Sequence, residues 1–141
     1  VSSYDPAAND WRSLPGAAMP GTLGIPWAKK TGDQWLYGLL TGPEHLNPAG
    51  VVHGGVLMAF ADHGLSFLAW EAAERAPCTT IQLNTHFLDA IQQGEFLELR
   101  GDVTRRTRGL VFVRGVIGVR DEQNLRDVGA IDGIWRVLRA R

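Results

Sequence analysis

Within sixteen residues, from Asn47 to Asp62, the chain sets out side chains and glycines suited to chemistry on a carbonyl group: Asn47, His53-Gly54-Gly55, and Asp62. A helix that starts at Gly54 presents unpaired backbone N–H groups and about half a positive charge at its first turn. Gly54 has no side chain to obstruct close approach. Its amide can therefore meet an oxygen that turns negative in a transition state. Asp62 is an acid in an otherwise apolar stretch, a costly placement unless something compensates it. It can act as a general base toward water or attack directly as a nucleophile. Asn47 can donate to a substrate or orient the water, and His53 can hold the loop and helix start or move a proton.

The elements that must position these groups follow from periodicity. Leu57, Ala61, Gly64, Leu65, Leu68 and Ala72 share one helical face, and the spacing predicts a helix over residues 54–75. A second stripe, Met58, Asp62, Ser66, Ala69 and Ala73, lies roughly 110° round from the first. Such a helix is apolar on nearly every side and belongs inside the protein. His63 projects about 100° away from Asp62 and is expected to pack. Pro77 ends the helix. One strand is predicted before it, over residues 34–41, and four after it, over 79–88, 95–105, 110–120 and 128–139, joined by turn-like sequences. Short connections predict that the last four strands form an antiparallel meander. The fold class is α+β, an antiparallel sheet wrapped around one long central helix. Residues 1–24, rich in Ala, Pro, Ser and Gly, are expected to form a loose arm with one short helix around residues 7–14. The domain proper is expected over residues 25–141.

Composition narrows the function. Fourteen Lys plus Arg against fifteen Asp plus Glu give a net charge of −1 in 141 residues, without the basic excess of a nucleic-acid binder. The apolar stretch is too short to span a bilayer. No charged-then-apolar leader opens the chain, and the single Cys78 cannot form an internal disulfide, so the cytoplasm is the expected location. His45, His53, Asp62 and His63 have no ligand spacing of a metal site. There is no Gly-x-Ser-x-Gly elbow, phosphate loop or dinucleotide fingerprint.

Asn47, His53-Gly54-Gly55 six residues on, and Asp62 eight residues after Gly54 resemble the signature of hotdog-fold acyl-CoA thioesterases, in particular the phenylacetic-acid-pathway type. The resemblance covers about the last 110 residues. It implies hydrolysis of a small, medium or aromatic acyl-CoA to the free acid and CoA, with no metal or cofactor. Catalysis would fall to Asp62, Gly54, Asn47, His53 and Thr80, the last matching a strand hydroxyl that helps hold the water. Strand parity places Thr79 on the side of Ile81 and Leu83, which leaves the choice between the two threonines open. Gly55 and Met58 would line the substrate. Arg105, Arg106 and Arg108, clustered at one hairpin, would meet the CoA phosphates.

Gly54 and Asp62 lie about 12 Å apart along a helix axis, at about 1.5 Å per residue. The oxygen and carbon of one carbonyl are separated by only about 1.2 Å. One chain can hardly serve both atoms. Two helices packed antiparallel about a two-fold axis would set each Gly54 opposite the other subunit's Asp62. The expectation is therefore a homodimer with composite sites, with dimers that can pair into tetramers. The competing reading is a non-catalytic acyl-CoA-binding or regulatory protein of the same fold.

Overall fold

The computed structural model describes residues 4–16 and 19–139. Seven strands form one antiparallel sheet around one long helix. The strands are β1 (Arg12–Ser13), β2 (Trp27–Thr31), β3 (Gln34–Leu40), β4 (Cys78–Phe87), β5 (Phe96–Arg106), β6 (Leu110–Arg120) and β7 (Leu125–Val137), and the helix is α1 (Gly54–Ala72). Their spatial order is β1-β2-β3-β5-β6-β7-β4.

Four of the six residues of the predicted stripe are buried, Leu68 and Ala72 are half-buried, and Phe60 and Ala69 join them in the core. Leu57, Phe60, Ala61, Gly64, Leu65 and Ala69 of α1 are buried and share a core with Leu97, Leu99, Val111, Val113, Ile117, Val128 and Trp135. Full burial of a side chain such as Phe60 or Leu65 contributes about 1.5–3 kcal/mol. The helix lies this close because β5 and β6 pair Gly101 with Gly115 beneath it. A Cβ there would stand 2.8 Å and 2.9 Å, respectively, from the end of Leu65. The helix stops at Ala72, three residues earlier than predicted. Glu74 and Arg75 both turn left-handed, with φ of 55° and 66°, and so break the helical path before Pro77 is reached.

Pairing departs from the predicted four-strand meander. Only β5, β6 and β7 follow one another, while β4 pairs with β7 and forms the far edge. The eight residues 88–95 are long enough to carry the chain across the sheet to β5, which docks on β3 instead. Two strands escaped the sequence pattern. β1 has two residues, and β2 carries Lys29 and Lys30 in its centre, so neither shows a clear apolar alternation. Residues 1–3 and 17–18 of the expected loose arm lie outside the described residues. Among the rest, the predicted short helix is a single 3-10 turn (Ala7–Asn9), β1 is paired to β2, and Tyr4 and Trp11 are buried against Phe96. Two large aromatic rings with apolar surface to hide fix this stretch despite its Ala- and Pro-rich sequence.

Candidate active site

The site is built on α1 and on β4, the strand that flanks it at the open edge. At the helix start, His53 has extended backbone and caps the first turn. Its Nδ1 accepts a hydrogen bond from the Gly55 N–H at 2.9 Å. The His53 carbonyl accepts from Val56 at 2.9 Å. The Gly54 N–H is left without a partner among the described residues, at the positive end of a nineteen-residue helix. The ring of Phe87, from the end of β4, covers this glycine: a Cβ on Gly54 would stand 3.1 Å from it.

Asp62 lies two turns further on and is half-buried. Its Oδ1 accepts a hydrogen bond of 2.5 Å from the hydroxyl of Thr80. The choice between the two threonines is thereby settled by a β-bulge. The register of β4 against β7 shifts between Thr80 and Gln82, so Thr80, opposite buried Trp135, and Leu83 face the helix together. Thr79 is exposed. Beside this pair, the Trp135 indole N–H donates to the Ser66 hydroxyl at 2.9 Å. His63 packs edge-on against Phe67, ring centres 5.0 Å apart, and burial pushes its imidazole pKa down while the Asp62 carboxylate pulls it up.

The resulting arrangement has a bare amide at a helix start and, on the same helix, an acid whose one oxygen is already held. Such an arrangement can offer a donor to a developing oxyanion and a base to water. The profile of the Thioesterase superfamily matches residues 49–125, which contain Gly54, Asp62 and Thr80. The chain belongs to the thioesterase superfamily.

Solved structures agree. A phenylacetic acid degradation-related protein from Ralstonia eutropha is 28% identical, with 88% of this chain and 91% of that one covered and a TM-score of 0.71. A thioesterase-type protein from Streptococcus pneumoniae, solved with coenzyme A, is 19% identical over 82% of this chain and 88% of that one, with a TM-score of 0.68. Zebrafish thioesterase superfamily member 2 is 16% identical over 94% and 92%, with a TM-score of 0.74. No curated protein matches the sequence.

In this thioesterase, a thioester hydrolase, the remaining predicted residues fall at varied distances from the pair. Asn47 sits on the turn before α1, where its side-chain oxygen accepts from the N–H groups of Ala49 and Val51 at 2.9 Å and 3.3 Å. It shapes the loop that delivers His53, and its side-chain amide N–H groups have no partner among the described residues. Met58 is exposed, one turn before Asp62. Arg106 lies at the other end of the helix, where its Nε donates to the Ala72 carbonyl at 3.2 Å. There it meets the negative end of the helix dipole. Arg105 and Arg108 are exposed on the same hairpin. Among the described residues no group of three His, Cys, Asp or Glu side chains could hold a metal ion, and no helix is long and apolar enough to cross a membrane. Phe87 escaped the sequence reading; the signal for it was its even spacing from Leu83 on β4, beyond the bulge.

Proposed function

We propose that this protein is an acyl-CoA thioesterase that works as a homodimer, each site pairing the Gly54 amide of one subunit with the partner subunit's Asp62. The observation that carries the reading is the Asp62–Thr80 hydrogen bond on the same helix as the unbonded Gly54 N–H, two turns apart. That separation is too long for one carbonyl and suits two helices in opposite directions. The β4 edge supports a second copy: among the described residues it has no neighbour on its outer side, and Ile81, Phe87 and Leu88 are exposed at 50%, 56% and 55%.

In this reading the thioester oxygen lies against the Gly54 amide. Thr80 occupies Oδ1 of Asp62, and Oδ2 takes a proton from water while the water oxygen bonds to the carbonyl carbon. The oxyanion collapses, the C–S bond breaks, and the CoA thiolate takes the proton held on Asp62 Oδ2, leaving as the thiol. Heavy-oxygen label recovered in Asp62 after a single turnover would replace the base by a nucleophile.

The test is thiol release from a panel of acyl-CoAs by two variants, alone and mixed. D62N should lower kcat by about a thousandfold with binding retained, in the range of general-base catalysis. Gly54→Val should also inactivate, because its side chain meets Phe87. Co-refolded in equal amounts, the two should recover about a quarter of wild-type activity, since about half the dimers are mixed and each has one intact site. No recovery would remove the composite site. Unchanged turnover in D62N would leave a binding protein.

A further inference from the structure

A groove of about 340 Å³ follows α1 from His63, the residue after Asp62, toward the end of the helix, lined by His63, Ser66, Phe67, Trp70, Pro77 and Cys78. We propose that it holds the acyl arm of the thioester and that Trp70 is the end wall that sets the arm's length. This rests on the hydrolase reading above and goes beyond it by naming what limits the substrate.

Continuity with the acid is the first argument. The helix residues of the groove are spaced three, four and seven positions from His63, which itself follows Asp62. The opposite wall, Pro77 and Cys78, leads directly into Thr80, the hydrogen-bond partner of Asp62. A carbonyl seated at Asp62 therefore has one substituent pointing along this channel.

The chemistry of the walls is the second. Ser66 is already engaged by the Trp135 indole. Phe67 is braced from behind, stacked on Tyr37 with centres 5.0 Å apart and planes 17° apart. Among the described residues no carboxylate, lysine or arginine lines the groove. A pantetheine arm would bring two amides to walls where, among the described residues, His63 Nε2 is the one buried side-chain polar atom without a partner, whereas a hydrocarbon arm needs no partner.

The third is where the apolar surface stops. Trp70 is pinned under Arg75, whose guanidinium sits 5.3 Å from the ring centre, and Arg75 pairs with Glu71 at 3.6 Å. Beyond the ring the chain presents Glu71, Glu74 and Arg75, so a longer hydrocarbon would run into charged, solvated side chains. From Asp62 to Trp70 the helix advances about 12 Å. An extended arm of about ten carbons fills that length, because bonds of about 1.5 Å advance only about 1.25 Å each along a zigzag.

The experiment is a profile of kcat/KM against acyl length, from two to sixteen carbons in this assay, for the wild type, Trp70→Ala and Trp70→Leu. The wild type should gain up to about fourfold per added methylene and then fall beyond about ten carbons. Both variants should move the break to longer chains, raising the ratio of fourteen- to ten-carbon rates by about tenfold, with inhibition by free CoA unchanged. A structural role for Trp70 lowers every length alike; that result, or a wild-type profile without a break, overturns the proposal. Weaker inhibition by CoA in the variants overturns it as well, by placing the pantetheine arm in the groove. If the wild type releases thiol from no thioester, the hydrolase reading fails separately. Calorimetric binding of the matching thioether analogues then decides the groove, with the same break and the same shift supporting it and a flat profile overturning it.

Discussion

The outer face of the sheet over β5 and the free edge at β4 are finished in opposite ways. Over β5 the chain seals itself. Trp11 packs edge-on against Phe96 at 5.0 Å, Tyr4 lies 5.2 Å from the same ring, and the Trp11 indole donates to the Tyr4 hydroxyl at 3.1 Å. Nearby, Glu98 takes two hydrogen bonds from Arg120, at 2.9 Å and 3.1 Å. At β4 nothing is sealed: backbone groups and large apolar side chains face outward together. The contrast separates the part of the protein that serves stability from the part kept for assembly, and the acid and the bare amide both lie beside the unsealed strand.

That contrast can be broken at the β4 edge with the largest expected effect. Ile81→Asp places a charge on the exposed bulge and should yield monomers by analytical ultracentrifugation, with thiol release down by more than about a hundredfold. A fully active monomer would dissolve the distinction. On the sealed side, Trp11→Ala should lower unfolding free energy by about 3 kcal/mol in urea titration, while turnover per folded molecule stays as in the wild type. The smallest change sharpens the site itself. Thr80→Val keeps the shape and removes the hydrogen bond to Asp62, so kcat should fall about tenfold, the effect of one bond to a charged acceptor, with KM little altered.

Much of the site was legible because its residues obey spacings that one helix enforces. Gly54 and Asp62 share α1, and the amphipathic count locates both without reference to anything distant. Thr80 was harder. Counting by twos from Leu83 assigns Thr79 to the helix side, and one extra residue at Ile81 reverses that parity; a bulge leaves no trace in an alternating pattern. The place of β4 at the far edge was hidden for a related reason. Periodicity identifies strands but not their neighbours, and residues 89–94 read as a turn whether they join adjacent strands or cross the sheet. Arg106 shows the limit of composition: three arginines at a hairpin suggested phosphate, and the fold gives one of them a helix carbonyl instead.

The cap formed by His53 has a consequence for how the helix start responds to its surroundings. An imidazole that accepts at Nδ1 must carry its hydrogen on Nε2. The ring is exposed, so this acceptor is held at the surface and not locked in the core. Removing it would set a second amide loose beside the first. The single well-aimed donor at Gly54 thus stands alone only while its neighbour's hydrogen is tied to an imidazole nitrogen.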